Sequence, residues 1–229
     1  MNGSAQTRPG ESIRIVLEHP RFVVIDKPAG MLSVPGRSPD HEPCACAHVA
    51  RLFPNASGPM ICHRLDQATS GLLVFALDPD AQRFLSLQFQ RRRAIKRYIA
   101  LLRGRPSGNR GTIELPLRTD WPRRPRQMVD FVHGKQALTH WRTLDESAPP
   151  ARGEVRTRVE FCPITGKTHQ LRVHAAWPAE QGGLGCPIVG DVLYDPDHPA
   201  ERLMLHASEL TITDPDTLQR VTVHAPPPF

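Results

Sequence analysis

His63-Arg64-Leu65-Asp66-Gln67-Ala68-Thr69-Ser70-Gly71 runs directly into Leu72-Leu73-Val74-Phe75-Ala76-Leu77. The second half is an unbroken apolar run and reads as a buried strand. The first half places charged and polar residues between Met60-Ile61 and that strand, where core would be expected. An aspartate set beside an arginine and closed by a Thr-Ser-Gly turn can be held ionised and rigid. That is what a nucleophile or general base needs. Asp66 is therefore the candidate catalytic residue. The same residues also describe a salt-bridged aspartate that opens a turn, so the rest of the chain has to decide.

Upstream, Ile13–Leu17 and Phe22–Ile25 read as two short strands about Glu18-His19-Pro20. Asp26-Lys27-Pro28-Ala29-Gly30 is a turn, and residues 1–12 form a loose tail. Apolar Ala47, Val49-Ala50 and Phe53 predict a helix over 43–53. Downstream, Asp78-Pro79 is a helix start, with Asp as cap and Pro in the first turn. Ala81, Phe84-Leu85 and Phe89 give that helix one apolar face before it ends in Arg91-Arg92-Arg93. Strands follow over 95–102, 112–117 and 136–144, with a Pro/Arg-rich loop at 120–127 and another loop at 147–153. Glu154–Phe161 alternates, with Val155, Thr157, Val159 and Phe161 on one face. A helix capped by Thr168 carries Leu171, Val173 and Ala175-Ala176. A Gly-rich loop covers 181–191, and late strands cover 203–213 and 218–223. Many strands with few scattered helices predict an α+β fold, its central sheet mixed but mainly antiparallel, in one domain over 13–229.

The chain has 229 residues, and its formal charge of +6 is almost all arginine, with lysine only at 27, 96, 135 and 167. Guanidinium forks match phosphates and stack on bases, which favours a nucleic-acid partner. Five cysteines without CxxC spacing argue against a disulfide framework and for a reduced, cytoplasmic chain. Cys44 and Cys46 with His41 and His48 lack a second ligand pair at structural-zinc spacing, and His169 and His174 are not an i, i+4 pair, so no metal is expected. No apolar run approaches the ~20 residues of a membrane span, and nothing in the sequence demands more than a monomer.

Three separated stretches carry polar residues that packing does not require: Arg64/Asp66, Lys96-Arg97-Tyr98, and Gly166–His174. Brought together, Asp66, Tyr98 and Arg172 would make a site needing no cofactor. Asp66 is the nucleophile in that reading, Arg172 its ion-pair partner and Tyr98 an aromatic plate for a flat substrate. A non-catalytic RNA-binding module on the same basic surface is one rival. A hydrolase using Asp66 with His169 is another, disfavoured because no phosphate or metal motif accompanies them.

The order of these motifs is itself informative. Val24–Gly30, His63-Arg64-Leu65-Asp66 with Thr69-Ser70-Gly71, Lys96-x-Tyr98 and Gly166–His174 resemble those of the RluA family of RNA pseudouridine synthases. Gly190-Asp191 with Tyr194, and Arg202–Ala207, continue the resemblance to the C-terminus. Leu32–Arg37 and Leu115–Gln127 are similar to the branch acting on both 23S rRNA and a tRNA anticodon stem-loop. The resemblance implies a catalytic domain without an S4 domain, acting on structured RNA without metal or organic cofactor. Asp66 then matches the aspartate that attacks the flipped uridine, Tyr98 the tyrosine stacked on the base, and Arg172 the arginine paired with the aspartate. Arg64 matches the residue that fills the space left by the flipped nucleotide. His63, Lys96, Lys167, His169 and Gln170 belong to the same motifs and are expected at the substrate. Two departures bear on substrate choice: Lys167 stands where arginine is commoner, and 179–185 reads as an insertion.

Overall fold

The computed structural model describes residues 13–36, 44–146 and 155–229. The expected tail over 1–12, the loop 147–153, Pro43 and His41 lie outside the described residues. In chain order the elements are β1 (Arg14–His19), β2 (Phe22–Lys27), α1 (Ala45–Leu52), β3 (Ser70–Ala76), α2 (Pro79–Gln90), β4 (Ile95–Arg103) and β5 (Arg110–Thr119). They continue with β6 (Gln127–Val129), β7 (Lys135–Glu146), β8 (Arg156–Pro163), α3 (Gln170–Ala176), β9 (Leu205–Thr213) and β10 (Arg220–His224). The described residues fall into two compact units, one drawn from 13–96 and 206–228, the other from 97–205 with Phe229.

In the first unit the strands run β1-β2-β3-β9, with β10 paired to β9. All pairs are antiparallel except β3 with β9. β3 is buried at every position, so the uninterrupted apolar run folds as its composition demands. The core joins Phe22 and Val24 of β2 to Leu72 and Val74 of β3, Ala81 and Leu85 of α2, and Leu210 and Ile212 of β9. Each such large side chain contributes roughly 1.5–3 kcal/mol on leaving water. α2 begins as expected, with the Asp78 carboxylate accepting from the Ala81 amide at 2.9 Å.

The second unit orders its strands β4-β8-β7-β5-β6, antiparallel throughout. β8 keeps its alternation, with Thr157, Val159 and Phe161 at 0–1% exposure, whereas Val155 precedes the strand and is 54% exposed. α3 packs against β5, β6 and β7. The α+β class with mixed, mainly antiparallel strands holds.

Three local expectations need correcting. Ser70 and Gly71 are not turn residues but the first two of β3; the turn is one step earlier, closed by the Thr69 amide on the Asp66 carbonyl at 3.1 Å. Thr168 does not cap α3. His169 stands there in the left-handed region, with φ 53, and makes no side-chain cap bond. The loop 120–127 also ends in a short strand, β6, that three residues of sequence do not announce.

Candidate active site

The first unit contributes Asp66 on a loop braced from below. Lys27 ends β2 with no exposed surface, and its ammonium donates to the carbonyls of Pro28 (2.9 Å), Met31 (2.7 Å) and Gln67 (3.2 Å). The Gly30 amide donates to that same Gln67 carbonyl at 2.9 Å. On the other flank, the Ser33 hydroxyl donates to the Leu65 carbonyl at 2.7 Å and accepts the Leu65 amide at 3.1 Å. Both neighbours of Asp66 are thus fixed to the Lys27–Ser33 turn, while Asp66 stays half-buried and Arg64 exposed. A side chain on a loop fixed at i−1 and i+1 has little to reorganise when it reacts.

His63 faces inward. Its ring stacks on Phe89 with centroids 4.1 Å apart, and Nε2 accepts the Val74 amide at 3.2 Å. Desolvation, helped by the Lys96 ammonium, pushes its pKa down to about 3, so it is neutral at pH 7. Across the start of β3, the Ser70 hydroxyl meets His206 Nδ1 at 2.8 Å, and His206 Nε2 meets the Ala225 carbonyl at 3.2 Å. Only a donor can bond a carbonyl, so Nε2 carries a proton. Gly71 is obligatory here: at φ +112 it lies so close to β9 that a Cβ would sit 2.3 Å from the Ala207 oxygen.

The second unit contributes Tyr98, Lys167, His169, Gln170 and Arg172. Arg172 is 4% exposed and bound fork to fork by Asp191, Nε to Oδ2 at 2.8 Å and Nη2 to Oδ1 at 2.6 Å. Asp191 Oδ1 also accepts the amides of Leu193 (3.1 Å) and Tyr194 (3.2 Å), which fixes the carboxylate. The Tyr194 ring lies under two guanidinium groups, Arg172 at 5.2 Å and Arg126 at 5.3 Å. Its hydroxyl accepts the Gln127 amide at 2.8 Å and lies 2.9 Å from His169 Nδ1. Burial pushes that phenol up to about 12.

Gln170 is braced by the protein: Nε2 donates to Leu138 O (3.0 Å) and Thr139 Oγ1 (2.9 Å). Its Oε1 accepts the Thr165 hydroxyl (2.7 Å) and the Lys167 amide (2.9 Å). Tyr98 sits in β4, 9% exposed and opposite Phe161.

Sequence reasoning gave no role to Asp191, Tyr194, Lys27 or His206. Asp191 carried a usable signal, an acid directly after apolar Ile188-Val189-Gly190, since a buried carboxylate needs a partner. Lys27 carried one too, as a lone ammonium at the end of an apolar strand.

All five cysteines are free. Among the described residues the one group close enough to hold a metal ion is His19, Asp214 and Asp216, not the cysteines near α1. No helix among the described residues is long and apolar enough to cross a membrane.

Residues 21–177 match the family model described as RNA pseudouridylate synthase. The chain is 40% identical over 218 residues to the dual-specificity RNA pseudouridine synthase RluA of Escherichia coli K12, covering 94% of this chain and 93% of that one. The protein of the same name from Haemophilus influenzae is 40% identical over 220 residues, with the same two coverages. Among solved structures, human RNA pseudouridylate synthase domain containing 1 is similar at a TM-score of 0.75 and 32% identity, over 97% of this chain and 87% of that one.

Proposed function

The chain belongs to the RNA pseudouridylate synthase family, and we propose that it isomerises uridine in structured RNA with Asp66 as the nucleophile. The net chemistry breaks the N1–C1′ bond of uridine and forms a C5–C1′ bond. The hydrogen leaves C5 and a proton is gained at N1, so product and substrate are isomers. Nothing is oxidised or reduced, and no group is donated from outside. A carboxylate that attacks the nucleotide and later departs is sufficient in principle.

The observation that carries the assignment is the bracing of Leu65 and Gln67 on either side of Asp66, by Ser33, Lys27 and Gly30. Arg172 is assigned as the cation that pairs with Asp66. Its fork to Asp191, through Nε and Nη2, holds the buried guanidinium in a fixed place. Tyr98 is assigned as the plate for the flipped base, and exposed Arg64 as the side chain that occupies the vacated stack. Reaching a uridine in a folded RNA costs a few kcal/mol of unstacking, which stacking and phosphate contacts offset. Lys96, Lys167 and His169 are proposed to line the substrate side, with Gln170 acting through Lys167, whose amide it holds. His63, expected at the substrate, instead faces inward and is proposed to support the start of β3 through Phe89 and the Val74 amide. Residues 13–229, over which these residues and motifs are spread, are proposed to form one catalytic domain.

The curated relatives are named as dual-specificity enzymes, and this chain is proposed to share that range, acting on 23S rRNA and a tRNA anticodon stem-loop. It is further proposed to act as a monomer in the cytoplasm, where both RNAs are found. Carbodiimide treatment and primer extension on rRNA and tRNA transcripts, incubated with purified protein, test this reading. The expected result is a stop at defined uridines in both RNAs with wild type and none with Asp66→Asn. Wild-type transcripts without stops, or an Asp66→Asn variant as active as wild type, would overturn it, the latter in favour of a non-catalytic RNA-binding module.

A further inference from the structure

Between β5 and β6 the chain reads Asp120-Trp121-Pro122-Arg123-Arg124-Pro125-Arg126, three arginines against one aspartate. Trp121 is 63% exposed, in contrast to Trp141 at 7%. Folding alone gives no reason to hold an indole in water. Nor is the loop loose. The Asp120 amide donates to the Arg126 carbonyl (3.0 Å), the Arg123 amide to the Asp120 carbonyl (3.1 Å), and the Arg126 amide to the Arg123 carbonyl (3.0 Å). The Asp120 carboxylate, 5% exposed, takes Arg123 Nε at 2.8 Å, and the next amide, of Gln127, is tied to the Tyr194 hydroxyl. On this closed loop the Arg124 guanidinium lies over the indole, 4.5 Å from its centroid.

We propose that Trp121 and Arg124 form a preformed stacking platform for an unpaired base of the RNA, one other than the target uridine. Arg124 covers part of the indole, and the exposure that remains offers π surface to a second flat group. Every nucleobase has such a face, and a guanidinium adds both stacking and phosphate contact. A protein partner is the poorer fit, because the indole's neighbours along the loop are arginine and proline and its ring contact among the described residues is a guanidinium. Because the loop is already closed, little ordering is lost on binding. The inference rests on the RNA-substrate reading above and adds a second contact to it.

The test is to titrate a tRNA anticodon stem-loop RNA, following tryptophan fluorescence and, separately, Kd by filter binding. Wild-type fluorescence should be quenched, and the quench should largely vanish in Trp121→Phe, which still binds because phenylalanine also stacks. Trp121→Ala and Arg124→Ala should each weaken binding, the former roughly tenfold, with the loss in KM larger than in kcat. An unchanged Kd for Trp121→Ala, or a full quench in Trp121→Phe, would overturn the platform while leaving the enzyme reading intact. Wild-type protein that neither binds nor modifies the RNA would bring down both.

Discussion

Lys27 shows how much of the proposed reaction centre depends on a residue that never meets substrate. Its ammonium is buried and donates to three carbonyls, one of them Gln67 next to Asp66. Lys27→Met keeps the stem's volume but removes the ammonium from those carbonyls, leaving Gln67 only its bond from the Gly30 amide. The expected cost is roughly 2–5 kcal/mol of stability in urea unfolding, with kcat falling further than KM because Asp66 is released from its brace. His174 makes a different prediction. It is fully buried, and desolvation pushes its pKa down to about 4, opposed by the Leu115 backbone. Unfolded, it titrates near 6.5. Between those values the unfolded chain binds the extra proton, so stability falls as pH falls through that window. Unfolding midpoints should therefore drop between pH 7.5 and 5, and the dependence should flatten in His174→Leu; a midpoint that rises towards pH 5 would contradict this. At this scale the sequence exposed the chemistry-bearing residues Asp66, Tyr98 and Arg172 by their type and context. It hid Asp191 and Lys27 as partners, because those bonds are made over 19 and 40 residues of chain.

Elements were legible where pattern and packing coincide. β3, β8 and α2 follow from an apolar run, an alternation and an Asp-Pro start, because each buries the face its sequence marks. The misreadings fall where backbone contacts outweigh composition. Ser70-Gly71 looks like turn sequence, yet parallel pairing with His206-Ala207 draws both residues into β3. Gly71→Ala should accordingly cost about 3 kcal/mol or more, since strand backbone cannot move aside and φ is positive. Thermal melts would show this as a large loss or as insoluble protein. α3 starts at a left-handed His169 because Gln170 accepts the Lys167 amide, a bond no capping rule anticipates. Asp78→Ala probes the α2 start. It removes the cap to Ala81 and a part-exposed pair with Arg21, for an expected loss of about 1–2 kcal/mol in urea unfolding.

For the whole molecule, the arginine-dominated charge of +6 implies that RNA affinity has a large counterion component. Affinity should fall roughly tenfold or more between 50 and 200 mM salt if a few phosphates are neutralised. A flat salt response by filter binding would argue against a phosphate-contacting surface. The proposed isomerisation moves the glycosidic bond to C5 of uridine, and C5 reports on it. C5 must lose its hydrogen when it becomes the glycosidic carbon, so RNA carrying tritium at C5 of uridine releases label to water only on conversion. Tritium release by wild type and by Asp66→Asn, with RNA binding measured in parallel, is the most direct test. Wild type should release one tritium per target uridine, and Asp66→Asn should lose at least about a thousandfold of that rate, with binding retained. Release by Asp66→Asn at the wild-type rate would contradict Asp66 as the nucleophile.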